Sequence, residues 1–201
     1  LRDGNTSGNR GPGGPGGDGL VMTFVLAKAF ADSVPEDPQG ALQLRLLDEY
    51  DMVGFSPRGV GASTRLQCAT NEQKRFVDFS PTGWDTPENL ANAHYNGCKQ
   101  AEACLKNPLT PYINTDATAR DMDLLRHLLG EDRLNYVGFS YGTLLGAWYA
   151  SLFPDRVGRM VLDSSLDYTP SSEETERAQA TAYQRLVEEV LVPYAVRHAE
   201  H

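Results

Sequence analysis

LNYVGFSYGTLLGAWY, residues 134–149, decides how the rest of the chain is read. Its first six residues form an apolar run of strand length, bounded before by charged residues and after by a serine between two glycines. Gly142, Gly146, Ala147 and Ala150 then recur on closely spaced turns, which predicts a helix that can approach a neighbour closely. Strand, sharp turn and helix in that order, with Gly138-Phe139-Ser140-Tyr141-Gly142 at the turn, is the pattern G-x-S-x-G of a nucleophile elbow. Glycine tolerates the crowding at the flanking positions, and the serine Oγ is pushed out above the sheet. The helix N-terminus that follows favours negative charge developing beside Ser140. The N–H of Tyr141 is the expected donor to it.

Working outward, residues 159–162 are expected as a third buried strand that closes on Asp163-Ser164-Ser165. Upstream, Asn114 and Thr115 cap a helix predicted over 116–129, with Asp116 in its first turn and Gly130 as its stop. Met122, Leu125 and Leu129 share one face, which should cover the sheet, and His127 beside them reads as a surface residue. A strand is expected at 50–55, followed by the Gly-rich turn Ser56-Pro57-Arg58-Gly59-Val60-Gly61-Ala62-Ser63. Arg58 should tie that turn to nearby carbonyls or carboxylates. Residues 21–31 predict a short helix and 33–40 a loop.

Residues 1–10 read as a flexible tail, and no apolar strand precedes the loop at 12–17. That loop, Pro12-Gly13-Gly14-Pro15-Gly16-Gly17, combines bare backbone N–H groups with stiffening prolines, a composition able to aim an N–H at an oxyanion. Residues 66–111 read as an irregular excursion of short helices and loops, and His94 within it as an exposed loop residue. Residues 169–201 turn acidic and helical, as the start of a lid separate from the sheet.

The chain has 201 residues, 40% of them hydrophobic, enough for one sizeable core. Its formal net charge of -9 and the lack of any Lys/Arg cluster exclude a phosphate footprint, so no nucleic-acid partner is expected. No run is long and apolar enough for a membrane span, and the first residues carry no signal-peptide core. Cys68, Cys98 and Cys104 have no histidine at metal-ligand spacing, so neither a metal nor a cofactor is expected. An odd count leaves one thiol over.

Five motifs, Gly13-Gly14-Pro15-Gly16, residues 56–63, Asn114-Thr115-Asp116, residues 138–142 and Arg159-Met160-Val161-Leu162-Asp163, stand in the order found in one family. Over residues 11–168 the chain resembles the α/β-hydrolase superfamily, and within it the tripeptidyl aminopeptidase-like and prolyl iminopeptidase-like serine peptidases. The resemblance implies an α/β fold: a mostly parallel sheet flanked by helices, with the start of a helical lid and the terminal strands missing. It makes Ser140 the acylated nucleophile, with an oxyanion hole from the N–H groups of Tyr141 and of Gly14, or Gly13 in its place. Asp163 is then a second-rank candidate for the acid.

The family's acid and histidine follow the serine on later strands. His198 and His201 fall in the lid, so both groups are expected from a C-terminal segment or a second chain. Further implications are export to an extracellular or periplasmic space, a Cys68–Cys104 disulfide, and acidic lid residues, Glu173, Glu174 and Glu176, that meet a substrate's free amine. The activity implied is that of an exopeptidase releasing N-terminal residues or short peptides. A carboxylesterase acting on small esters is the alternative within enzymes, and a non-catalytic fragment or binding module the alternative outside them. The turn after the second strand carries Ser56 where the family usually has aspartate.

Overall fold

A computed structural model describes residues 2–3, 16–64, 66, 68, 72, 74–80, 83–167 and 169–199. The chain divides into two compact units, Leu1–Ser164 and Ser165–His201. In the first, four parallel strands lie in the order β2-β1-β3-β4: β1 Arg2–Asp3, β2 Val53–Gly54, β3 Leu134–Phe139 and β4 Val157–Asp163. Parallel neighbours need crossovers, and helices supply them. The helices are α1 Gly19–Ala31, α2 Pro38–Glu49, α3 Pro87–Leu105, α4 Thr115–Leu128 and α5 Tyr141–Leu152.

Each of the first four helices is started by a side chain that accepts from an orphan N–H. Asp18 caps α1 through Leu20, Asp37 caps α2 through Gly40, Thr86 caps α3 through Asn89, and Asn114 caps α4 through Ala117. In α2 and α3 a proline follows the cap, where its fixed φ suits the first turn and its missing N–H costs nothing.

The core lies between α4, α5 and β3. Ala119 and Met122 of α4, Leu134 and Tyr136 of β3, and Leu145 and Tyr149 of α5 are buried, with Phe55, Met160 and Leu162 among the residues packed against them. Close approach of α5 to the sheet depends on Gly146, because a Cβ there would stand 2.7 Å from both Leu162 Cδ2 and Tyr136 Cε1.

Several expectations are corrected. Arg2 and Asp3, assigned to a flexible tail, pair with Val53 and Gly54 on one side, and Asp3 with Val137 on the other, so a short strand of two charged residues precedes the glycine loop in place of an apolar one. Two residues are too few for any periodicity to reveal, and backbone pairing alone defines the strand. The strand expected at 50–55 shrinks to Val53–Gly54, because α2 runs to Glu49 and Tyr50 is its C-cap. β4 is not fully buried: as an edge strand it alternates, leaving Val161 57% exposed.

Among the described residues of the excursion, α3 runs for 19 residues, longer than the short helices expected, and a 3₁₀ turn, Thr110–Tyr112, follows it. Asn89 on α3 explains the order of the loop before it. Its amide donates to the carbonyls of Asp78 (2.7 Å) and Trp84 (2.9 Å) and accepts from Asp78 N–H. Asn96 clamps Arg75 in the same two-way manner, and the Arg75 guanidinium lies 3.7 Å above the Tyr95 ring centroid. A disulfide joins Cys68 to Cys104, and Cys98 is free and exposed.

The second unit is helical: α6 Ser172–Arg185, a π-helical turn Leu186–Leu191 and α7 Val192–Arg197. Pro193 has no N–H to give to the preceding turn, and the wider turn accommodates that loss. Among the described residues, no helix is long and apolar enough to cross a membrane.

One charged network ties the core helices to β4. Asp123 Oδ1 accepts from Arg126 Nε at 2.9 Å and from the Tyr149 hydroxyl at 3.2 Å, while Oδ2 pairs with Arg156 of the 3₁₀ turn Pro154–Arg156. Arg126 also donates to the carbonyl of Glu131. Burial alone would raise the Asp123 carboxyl, but the Arg126 hydrogen bond and the charges of Arg126 and Arg156 hold it below the ordinary range. Burial, then the neighbouring carboxylate, pushes the Tyr149 phenol up to about 12.

A carboxyl depressed in the folded state contributes stability above its unfolded pKa, near 3.9, and loses it as pH falls through the folded value. Asp123→Asn should therefore cost about 3 kcal/mol at neutral pH, because two arginines lose a shared partner. In urea unfolding at stepped pH, the gap between variant and parent should narrow below about pH 4.

Candidate active site

At the C-terminal end of β3 the chain reverses within one residue. Ser140 has φ 51° and ψ -120°, a conformation that side chains with a Cβ rarely adopt and that costs roughly 1–3 kcal/mol. Three sets of contacts hold it. The Ser140 N–H donates to the Asp163 carbonyl at the end of β4 (3.0 Å), which ties the turn to the neighbouring strand. The Ser140 carbonyl accepts from the Thr143 N–H (2.9 Å) and hydroxyl (2.6 Å), both in the first turn of α5.

Beneath the turn, the buried Tyr136 hydroxyl donates to the Gly142 carbonyl at 2.7 Å. Gly138 closes the arrangement from the strand side. A Cβ there would lie 2.5 Å from the Gly142 oxygen and 2.6 Å from its carbon.

Ser140 is half-buried, and among the described residues its hydroxyl has no hydrogen-bond partner. The N–H of Tyr141, first in α5, has no acceptor within the helix. Its side chain reaches sideways, and its hydroxyl lies 2.6 Å from Thr115 Oγ1 at the start of α4. Gly13 and Gly14, the other expected oxyanion donors, lie outside the described residues. Gly16, at φ 110°, begins the described part of that loop.

The turn after β2 is fixed at both ends. Arg58 makes a two-pronged contact with Asp121 of α4, Nε to Oδ2 at 2.5 Å and Nη2 to Oδ1 at 2.8 Å, and that hydrogen bonding holds its pKa above the ordinary guanidinium value. The carboxylate that meets Arg58 thus comes from a helix. Ser56 serves a different contact, donating to Asp18 Oδ1 at 2.8 Å beside the cap of α1.

Other residues singled out by sequence lie in varied settings. Asp163 is at the predicted strand end, where its carbonyl anchors the elbow. Its exposed carboxylate accepts from Ser164 Oγ at 3.2 Å. Glu173 and Glu174, expected to meet a substrate amine, are used within their own helix. Glu173 pairs with Arg177, and Glu174 completes a capping box with Ser171, whose hydrogen bonds hold its carboxyl below the ordinary range.

His94 is on α3, where its Nδ1 is 3.7 Å from the Cys98 thiol, and His127 is exposed on α4. The His198 ring stacks on Tyr194 and contacts that residue's carbonyl. His201 lies outside the described residues.

Among the described residues, clefts open at opposite ends of the strands. One, of about 420 Å³, runs from Tyr141 and Gly16 past Pro57 and Val60 to Ile113 and Thr115, beside the elbow. Its existence could not be read from sequence, since it joins four separated segments. The Asn114-Thr115-Asp116 motif marked one of them. The other cleft, of about 370 Å³, is lined by Glu49, Asp51, Glu131 and Arg133 near the starts of β2 and β3, the opposite edge from Ser140.

The model of the alpha/beta hydrolase fold matches residues 12–199. This chain belongs to that family. The hydrolase chain is 40% identical over 158 residues to a tripeptidyl aminopeptidase of Streptomyces lividans, covering 76% of the chain and 27% of the relative. It is 35% identical over 180 residues to serine protease Hip1 of Mycobacterium tuberculosis (86% of the chain, 32% of the relative). It is 36% identical over 182 residues to carboxylesterase B of the same species, with the same shares covered. The hydrolase chain thus spans between 27% and 32% of the length of these relatives.

The elbow's strain is testable through stability. Ser140→Gly, which relieves the positive φ, should raise stability by about 1 kcal/mol. Gly138→Ala should lower it by about 2 kcal/mol through the clash with Gly142. Both are read from denaturant midpoints, and a loss of stability in Ser140→Gly would contradict the strain.

Proposed function

We propose that the protein is a serine hydrolase that forms an acyl-enzyme on Ser140, and that it acts on peptides, releasing N-terminal residues or short N-terminal peptides. The observation that carries this reading is the backbone of Ser140: a strained, tethered conformation that leaves a half-exposed hydroxyl, without a partner among the described residues, at the start of a helix. Similarity to a tripeptidyl aminopeptidase and to a serine protease supports the peptide substrate.

In the first step Ser140 Oγ bonds to the substrate carbonyl carbon, and its proton passes to a base. The Tyr141 N–H, with Gly14 or Gly13 opposite it, stabilises the oxyanion. Collapse breaks the carbon–nitrogen bond, and the proton goes to the departing amine. Water then attacks the acyl-enzyme, releasing a carboxylic acid and restoring the serine hydroxyl. The acid and histidine of the triad come, in this proposal, from a further segment or a second chain, in keeping with the small share of the relatives spanned here. An extracellular or periplasmic setting agrees with the Cys68–Cys104 disulfide.

Similarity to carboxylesterase B favours a second reading, in which the leaving group is an alcohol. The test uses the natural protein with a fluorophosphonate probe and paired substrates. Ser140 should be labelled, and Ser140→Ala should lose labelling and reduce kcat on the order of 10⁶-fold. A higher kcat/KM for an aminoacyl amide than for the matched ester supports the peptidase; the reverse supports the esterase. Absence of labelling at Ser140 overturns both.

A further inference from the structure

The cleft beside the elbow has a property not used by the reaction steps above. Each of its four hydrogen-bonding side chains other than the phenol of Tyr141 is already engaged by the protein. Arg58 gives two nitrogens to Asp121. Asn114 donates to the Pro111 carbonyl and accepts from the Ala117 N–H. Thr118 Oγ1 donates to the Asn114 carbonyl, and Thr115 Oγ1 shares a hydrogen bond with the Tyr141 hydroxyl, which uses that phenol as well.

The remaining lining is apolar: Pro57, Val60 and Ile113, with the bare backbone of Gly16 and Gly59. Gly59, at φ 79°, lets the turn close on Ile113; a Cβ there would stand 3.2 Å from Ile113 Cγ2. A wall so arranged offers dispersion contacts and, with the Arg58 charge matched by Asp121, no unmatched charge. An ionic or strongly hydrated group placed there would lose its water without replacement.

Tyr141 links this cleft to the chemistry, since the same residue lines the cleft and supplies the N–H beside Ser140. We propose that the cleft is the subsite for an uncharged, apolar side chain on the acyl half of the substrate, with Val60 and Ile113 as the residues that set its size. The inference rests on Ser140 being the acylated residue. It narrows the substrate class to acyl groups bearing branched aliphatic or aromatic side chains, which a volume of about 420 Å³ open to solvent can hold.

The experiment measures kcat/KM of the natural protein for p-nitrophenyl acetate, butyrate and hexanoate, then for Ile113→Trp and Val60→Phe. In the parent, kcat/KM should rise with each added pair of methylenes, and filling the cleft should lower the hexanoate-to-acetate ratio by about 10- to 200-fold. Chain-length dependence in the parent needs no variant, so a variant that misfolds does not remove the test. A flat profile in the parent, or an unchanged ratio in a folded variant whose Ser140 still takes the fluorophosphonate, overturns the subsite and leaves the nucleophile standing. A parent protein whose Ser140 takes no probe overturns the nucleophile, and the subsite with it.

Discussion

The hydrogen bond from the Ser140 N–H to the Asp163 carbonyl holds a backbone that would otherwise relax. Positive φ at a serine is unfavourable, so the turn persists only where its surroundings over-determine it. Here they do so from three directions. β4 supplies the acceptor, Thr143 grips the serine carbonyl, and Tyr136 fixes the carbonyl of Gly142 from below. Those contacts need α5 to lie almost against the sheet, which the absence of side chains at Gly138 and Gly146 permits. A strained residue, two close approaches and a buried phenol are one cooperative unit.

Around that unit the remaining elements act as supports at increasing distance. α4 carries both the Asp123 network, which braces α5 and the turn before β4, and Asp121, which holds Arg58 and with it the turn after β2. Thr115 at its start touches Tyr141. One helix therefore positions the elbow's neighbour, the cleft wall and the adjoining loop. Its cap at Asn114 matters beyond its own first turn.

Legibility in the sequence followed physical size. β3, the elbow and α5 could be read because apolar runs and glycines of sufficient length and spacing coincide there, and α4 because its cap and stop are both local signals. The pair Arg2–Asp3 carries no side-chain pattern at all, since its pairing is made by backbone alone. α2 was hidden because its start lies in a stretch that reads as a loop, 33–40, although Asp37 followed by Pro38 is a helix start. The order of the excursion rests on the carboxamides of Asn89 and Asn96, whose partners lie in a loop as much as 21 residues away. The cleft depends on four segments meeting, which only tertiary structure discloses.

Asp163 serves the elbow through its carbonyl, while its side chain faces solvent and, among the described residues, meets the adjacent serine. The duty of that position is thereby separated from its chemical identity. Selection can rewrite the residue's charge, size or polarity while the anchor beneath the serine stays in place. Among members of one fold, such a site is free to acquire a new role at the mouth of the active centre without first loosening the old one.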